Sequence, residues 1–228
     1  MIPIDKCSDN HEKPEIGWQS VCHHFRKWCK DGSPKNFWDQ STESIGHIPN
    51  LSEPNSDGTH TMAKKGGESA ECQGRKKAKT TDMLTIPDKN GNPIASAGII
   101  AGNHNDASDL EKNPEAVFKD MKERNLPISG SYPDADAAFD TKVARKVCSD
   151  NGVIPNIAEN RRGRKKPKRG RKRLFDKEIY KNRFGTERTW AWIDKFKRLL
   201  IRFERNDNYF FGFHCIAFAM IDLQNLIG

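Results

Sequence analysis

The chain has 228 residues and a mass of 25.9 kDa, which suits one catalytic-sized domain with a small appendage and leaves little room for two full domains. Its formal net charge is +8, from 39 Lys and Arg against 31 Asp and Glu, and the excess is local: "RRGRKKPKRGRKR", Arg161 to Arg173, carries ten positive charges and no acid. With 35% hydrophobic residues and a mean hydropathy of −0.85, and with no apolar run of roughly 18 residues and no apolar leader, the composition argues against a membrane or exported protein and for a modest core with long polar loops.

In chain order, Met1 to Gly17 is polar and expected to be loosely ordered. Trp18, Val21, Cys22, Phe25 and Trp28 recur at the helical period and predict one amphipathic helix, ended by Asp31-Gly32-Ser33-Pro34. "NFWDQ" starts a second, and "STESIGHIPNLSEPNS" reads as a linker. The six cysteines, Cys7, Cys22, Cys29, Cys72, Cys148 and Cys215, are scattered and expected to be reduced; the spacing of Cys22, His23, His24 and Cys29 is wrong for a zinc finger.

The sheet region starts near Asp57, and within it "TTDMLTIP" and "PIASAGIIAG" read as short antiparallel strands joined across Asp88 to Asn92, whose Asn-Gly is a hairpin signal. "SDLEKNPEAVFKDMKERN" reads as a helix with Ser108 as N-cap, interrupted or started late by Pro114. A strand ending near Asp136, a helix from about Thr141 and a short strand at Val153 to Ile157 come next. After the basic run, "TERTWAWIDKFKRLLIRFER" predicts one long helix and "YFFGFHCIAFAMIDLQNLI" a buried one. Strands first, then alternating helices and strands, describe an α/β layer fold with a mixed sheet.

Three acids stand where this layout brings elements together: Asp57 at the start of the sheet region, Asp136 at a strand end and Glu187 in the first turn of a helix. Carboxylates on adjacent elements are what two Mg²⁺ ions about 3.5 to 4 Å apart require. The bland reading also fits: Asp57 as a turn residue, Glu187 as a favourable charge at a helix N-terminus. On one continuous helix, Glu187, Asp194, Arg198 and Arg205 fall within about 20° of one face with Arg202 beside them, a face that is either simply solvated or able to meet DNA phosphates.

The blocks "DGTHTMAKKGGESAECQGRKKAKTT", "AGNHND", "DADAAFDTKVARKVCSDNGVIPNIAEN" and "YKNRFGTERTWAWIDKFKRLLIRFER", in that order, resemble bacterial insertion-sequence transposases with a DDE catalytic triad, in the group with a Y-R-E signature. The resemblance runs from about Trp18 to the C-terminus. It implies a ribonuclease-H-like mixed sheet flanked by helices, with residues 1–50 as a short helical N-terminal region and linker, a truncated DNA-binding part, and residues 51–228 as the catalytic domain bearing the basic loop 161–173. It implies Asp57, Asp136 and Glu187 as catalytic metal ligands for two Mg²⁺ ions, with Mn²⁺ as a substitute, and Tyr180 and Arg183 as contacts to substrate DNA; packing is the alternative role for Tyr180.

The sequence departs from that group's pattern in three places. Asp194 stands where the signature's Lys is expected, with Lys195 adjacent; Ala137 and Ala138 replace a frequent Gly; and the region before Trp18 is short. The implied activity is metal-dependent cleavage at insertion-sequence ends and strand transfer into target DNA, by a homodimer on paired terminal inverted repeats, in a bacterial cytoplasm beside the nucleoid. The alternatives are an inactive DNA-binding remnant and a nuclease that hydrolyses without joining. The basic residues Arg161, Arg162, Arg164, Lys165, Lys166, Lys168, Arg169, Arg171, Lys172 and Arg173 are expected to lie along double-stranded DNA, with Arg198 and Arg202 as further phosphate contacts; the bland reading of the run is a solvated linker.

Overall fold

The computed structural model describes residues 16–44, 55–74, 76–103, 112–135, 137–160, 174–181 and 184–227. The elements are α1 (Trp18–Asp31), α2 (Ser33–Ser44), β1 (Asn55–Ala63), β2 (Glu71–Gln73), β3 (Ala78–Pro87), β4 (Pro93–Ala101), α3 (Lys112–Glu123), β5 (Asp134–Ala135), a 3₁₀ turn (Ala137–Phe139), α4 (Lys142–Asp150), β6 (Asn156–Ile157), α5 (Lys177–Tyr180), α6 (Phe184–Ile193), α7 (Lys197–Leu200), β7 (Ile201–Arg202) and α8 (Asp207–Ile227).

The sheet is built around β1. Antiparallel β3 takes one edge, with Asp57 across from Thr85 and Met62 across from Thr80, and parallel β5 and β7 take the two ends of the other. On β3's far edge, β4 and β2 lie antiparallel, and β6 extends the sheet beyond β5 in parallel. The result is a mixed sheet flanked by helices, compatible with a ribonuclease-H-like fold.

Alternation along β3 divides the interior into two layers. Leu84 and Ile86 face one core with Ile94, Val117, Phe118, Met121 and Val147, under α3 and α4. Met83 faces the other, with Trp38 of α2, Ile193 of α6 and Phe210 and Phe218 of α8. Trp38 is fully buried, and its indole N–H donates to the Pro93 carbonyl at 3.0 Å, because a buried indole needs a partner.

Several elements form where the residues predict them. Gly32 ends α1 at φ +81, its N–H returning to the Trp28 carbonyl, a conformation glycine adopts without strain. Thr141 caps α4 by accepting from the Ala144 N–H at 3.1 Å. Pro114 lies in the first turn of α3, where its missing N–H costs nothing. The β3–β4 hairpin turns at Asp88 to Asn92, with Asp88 Oδ1 accepting from the Asn90 and Asn92 backbone N–H groups at 2.9 and 2.8 Å.

Three expectations are corrected. The predicted linker begins too early: Ser41 to Ser44 continue α2, and Ser41 and Thr42 are buried against α8. The short strand is confined to Asn156–Ile157. The long helix over Thr186 to Arg205 does not exist as one element. After Ile193 the chain turns, resumes for one turn as α7, and then leaves as β7 to pair with Met62 and Ala63 of β1. Ladder pairing to a central strand overrides a modest local helix preference. The C-terminal helix is buried as expected: α8 has 21 residues, and although its most apolar 18-residue stretch, of mean hydropathy 1.5, is long and apolar enough to cross a membrane by length and composition, half of that stretch is buried in the protein. It is a core helix, packed on α2 and β4.

Candidate active site

Parallel pairing sets Asn55 beside Asp134 and Ser56 beside Ala135. The next residue in β1 is Asp57, and the next after β5 is Asp136. The side chain of Asp57, and Asp136 as a whole, lie outside the described residues. The Ala137–Phe139 turn follows at once, and Phe139 is buried with Ala135 and Ile157 in a small core of its own.

Glu187 reaches this end of the sheet through the hairpin. Because β3 is antiparallel to β1, the Asp88–Asn92 turn lies at the end where Asp57 begins the pairing. The N-terminal half of α6 is seated on it: Thr189 Oγ1 donates to the Gly91 carbonyl at 2.6 Å, and Arg188 Nη1 to the Asn90 carbonyl at 3.1 Å. Two glycines allow the approach. A Cβ at Gly91, which holds φ +94, would stand 2.9 Å from the Gly185 carbonyl oxygen, and one at Gly185 would stand 3.0 Å from that of Asp88. Behind it, α6 packs on β1 and β3. Glu187 itself is exposed, in the first turn. The strand carrying Asp57, the strand leading into Asp136 and the helix carrying Glu187 therefore meet at one end of the sheet. Gly91 is legible as a hairpin residue but not as the seat of a helix, and Gly185 and Thr189 carry no signal in the pattern beyond a Gly two positions before Glu187.

A side-chain clasp fixes the short strands beside this site. Asn156 is buried; its Nδ2 donates to Asp134 Oδ1 at 2.6 Å and to the Asp176 carbonyl at 2.9 Å, and its Oδ1 accepts from the Asp176 N–H at 2.7 Å. Asp176 in turn caps α5, accepting from the N–H groups of Glu178 and Ile179. On the other side Arg145 spans Asp140, at 2.9 Å, and the Ile157 carbonyl, at 2.8 Å, while Asp140 accepts from the Asn160 N–H at 3.0 Å. Residues 161–173, the whole basic run, lie outside the described residues; the segment before them is held by Asp140 and the segment after them by Asn156 of β6.

Among the other predicted contacts, Tyr180 ends α5, half-buried, its ring 5.2 Å from that of Phe175; Arg183 lies outside the described residues. Arg198 is half-exposed, ion-paired with Glu204 and set over the Phe203 and Phe213 rings. Arg202 is a correction to its reading as a phosphate contact. It is fully buried, with Nη2 2.6 Å from Asp207 Oδ1 and Nε donating to the Glu204 carbonyl at 2.8 Å. Once residue 201 enters β7, Arg202 turns inward and its charge is neutralised by Asp207. Glu187, Asp194, Arg198, Arg202 and Arg205 thus share no helix face. Asp194 and Lys195 sit in the exposed turn after α6.

Among the described residues, no three His, Cys, Asp or Glu side chains cluster as a metal site. The donors proposed for a metal are Glu187 and the two aspartates at 57 and 136, all carboxylates, which suits a hard divalent cation.

No family model matches the chain. It is 31% identical over 121 residues to a Burkholderia cepacia protein named "Putative transposase for insertion sequence element IS402"; the match covers 53% of this chain and 52% of that protein. The chain spans about half the length of the curated relative it matches.

Proposed function

We propose that the chain is the catalytic part of an insertion-sequence transposase of the DDE type, cleaving DNA at the element's ends and joining the freed 3′ hydroxyl to target DNA. The observation that carries this reading is the meeting of three carboxylate-bearing elements at one end of a mixed sheet: β1 with Asp57, β5 leading to Asp136, and α6 with Glu187. The similarity to a named transposase supports the general class.

In this reading Asp57, Asp136 and Glu187 hold magnesium, with manganese as a substitute. When bound there, the metal supplies acidified water and charge neutralisation at the leaving oxygen. The protein's own part is placement. The β1–β5 register sets the relative position of two strands, and the Gly91–Gly185 contact with Thr189 sets the helix that carries the third carboxylate. Tyr180 and Arg183 precede Glu187 and lie along the substrate strand near the cut. The basic run gives sequence-independent affinity for phosphates. A dimer on paired terminal repeats follows from the same resemblance. No nucleophilic side chain is needed, because water and then a DNA hydroxyl attack directly.

The test is a strand-transfer assay on labelled duplexes carrying the element's terminal repeats, with a supercoiled target. Joined products are expected. Nicks without joining would replace the reading with a nuclease, and binding with neither product would leave a DNA-binding remnant.

A further inference from the structure

The far end of the sheet carries a second concentration of positive charge. Where β1 ends, Lys64 and Lys65 enter a turn; Lys76 and Lys77 lie in the β2–β3 connection, Lys79 follows in β3, and Arg205 follows β7. All six are exposed. Four adjacent strands, in the order β7, β1, β3, β2, bring them together. The exposed acids among them are Glu68 and Glu71, and Glu68 is occupied in accepting from Asn206 Nδ2 and the Asp207 N–H, at 3.1 and 2.9 Å.

The backbone that presents these cations is held in place. The Lys64 N–H donates to the Arg202 carbonyl at 2.9 Å and the Glu68 N–H to the Arg205 carbonyl at 2.8 Å. Gly67, at φ +137, lies so close to Arg205 that a Cβ would come within 2.5 Å of its carbonyl oxygen. Lys76 Nζ donates to the His60 carbonyl at 2.9 Å, pinning the β2–β3 turn over β1. Charges fixed in place lose less entropy on meeting a polyanion than charges on a loose tail.

We propose that this surface, centred on Lys64, Lys65, Lys77 and Lys79, is a second docking site for duplex DNA, separate from the catalytic end. It rests on the reading of the chain as a DNA-acting protein. Geometry favours a duplex: three strand spacings make the patch about 14 Å wide, comparable with the roughly 12 Å major groove, so cations at its two sides meet phosphates across the groove. Seven residues of extended strand separate Asp57 from Lys64, about 24 Å, so DNA engaged at the catalytic end and continuing along the sheet reaches the patch about seven base pairs away at 3.4 Å per pair.

The experiment measures binding of a random-sequence duplex of about 30 base pairs, longer than that separation requires, as a function of salt. Three forms of the chain are compared: wild type, Lys64→Gln/Lys65→Gln/Lys77→Gln/Lys79→Gln, and a charge-matched control, Lys119→Gln/Lys122→Gln/Lys142→Gln/Lys146→Gln, on α3 and α4. The slope of log affinity against log salt should fall in magnitude by about 3 to 4 in the first variant, at about 0.9 for each phosphate no longer neutralised, and stay near wild type in the control. A patch variant with the wild-type slope, or a control with an equal loss, overturns the proposal while leaving the catalytic reading intact. A wild-type chain without salt-dependent duplex binding overturns both. Acetylation footprinting of the unmutated protein gives a check independent of folding: DNA should shield Lys64, Lys65, Lys77 and Lys79 more than Lys142 and Lys146, and equal shielding counts against the surface.

Discussion

Replacing Asn156 with Ala removes the clasp that holds β5, β6 and the start of α5 together. Three hydrogen bonds disappear, one to the Asp134 carboxylate at 2.6 Å and two to the Asp176 backbone at 2.9 and 2.7 Å. A bond to a charged group contributes about 1.5 to 3 kcal/mol and a neutral one about 1. Asp176 is exposed, so water replaces much of the second loss, and the expected cost is about 3 kcal/mol. At about 2 to 4 °C per kcal/mol for a chain of this size, Tm should fall by about 6 to 12 °C. Urea unfolding at neutral pH measures the free energy and a thermal scan the shift. Asn156→Asp sharpens the test: it preserves size and the acceptor facing the Asp176 N–H, but turns the donors into a second carboxylate against Asp134. It should cost at least as much as Ala at neutral pH and recover part of the loss as the pH is lowered. A cost below about 0.5 kcal/mol for Ala, the level of an ordinary surface change, or an Asp variant as stable as wild type at neutral pH, would refute the clasp.

Other outcomes follow from single sites. Burial pushes the Asp222 carboxyl up to about 8, with Ser41 and Thr42 hydroxyls opposing the rise. A folded pKa above the unfolded one means the contribution is full below the unfolded value near 3.8 and is lost as pH rises through about 8. Asp222→Asn, which cannot ionise, should therefore gain stability relative to wild type between pH 5 and pH 8; a constant difference across that range would show that Asp222 does not titrate there. His214 runs the other way: burial lowers its pKa to about 4, so its share of stability is lost as pH falls from about 6.5 through about 4, and His214→Gln should flatten that acid limb of an unfolding-against-pH curve. Gly91→Ala forces a side chain into φ +94 and against the Gly185 carbonyl. It should cost about 1 to 3 kcal/mol in urea unfolding and reduce DNA cleavage more than DNA binding, because it displaces the helix that carries Glu187.

The parts of the fold that were legible are those written in local chemistry. The Asn-Gly hairpin, the Gly32 stop, the Thr141 cap and the buried C-terminal helix each follow from a few neighbouring residues. What was not legible depends on distant partners. Nothing near Ile201 announces that it will leave a helical pattern to pair with Met62, and that pairing is what buries Arg202 beside Asp207. Ser41 and Thr42 look like linker until Asp222, far along the chain, supplies the buried acceptor. The acids at 57, 136 and 187 are candidates drawn from sequence positions near element ends; what the structure adds is that the elements carrying Asp57 and Glu187 and the strand before residue 136 come to one end of the sheet. The seat under the helix that carries Glu187, Gly91 against Gly185 with Thr189 donating to Gly91, is a backbone approach that composition does not encode.

Whether Glu187 belongs to a metal-holding carboxylate set is decided by cleavage of an end-labelled terminal-repeat duplex with Mg²⁺ or with EDTA. Wild type, Glu187→Gln and Asp57→Asn are compared, with DNA binding measured in the same samples. Cleavage should require the metal and fall by at least about a hundredfold in either variant while both still bind DNA. Metal-independent cleavage, or a Glu187→Gln protein that cuts at the wild-type rate, would remove Glu187 from any such set.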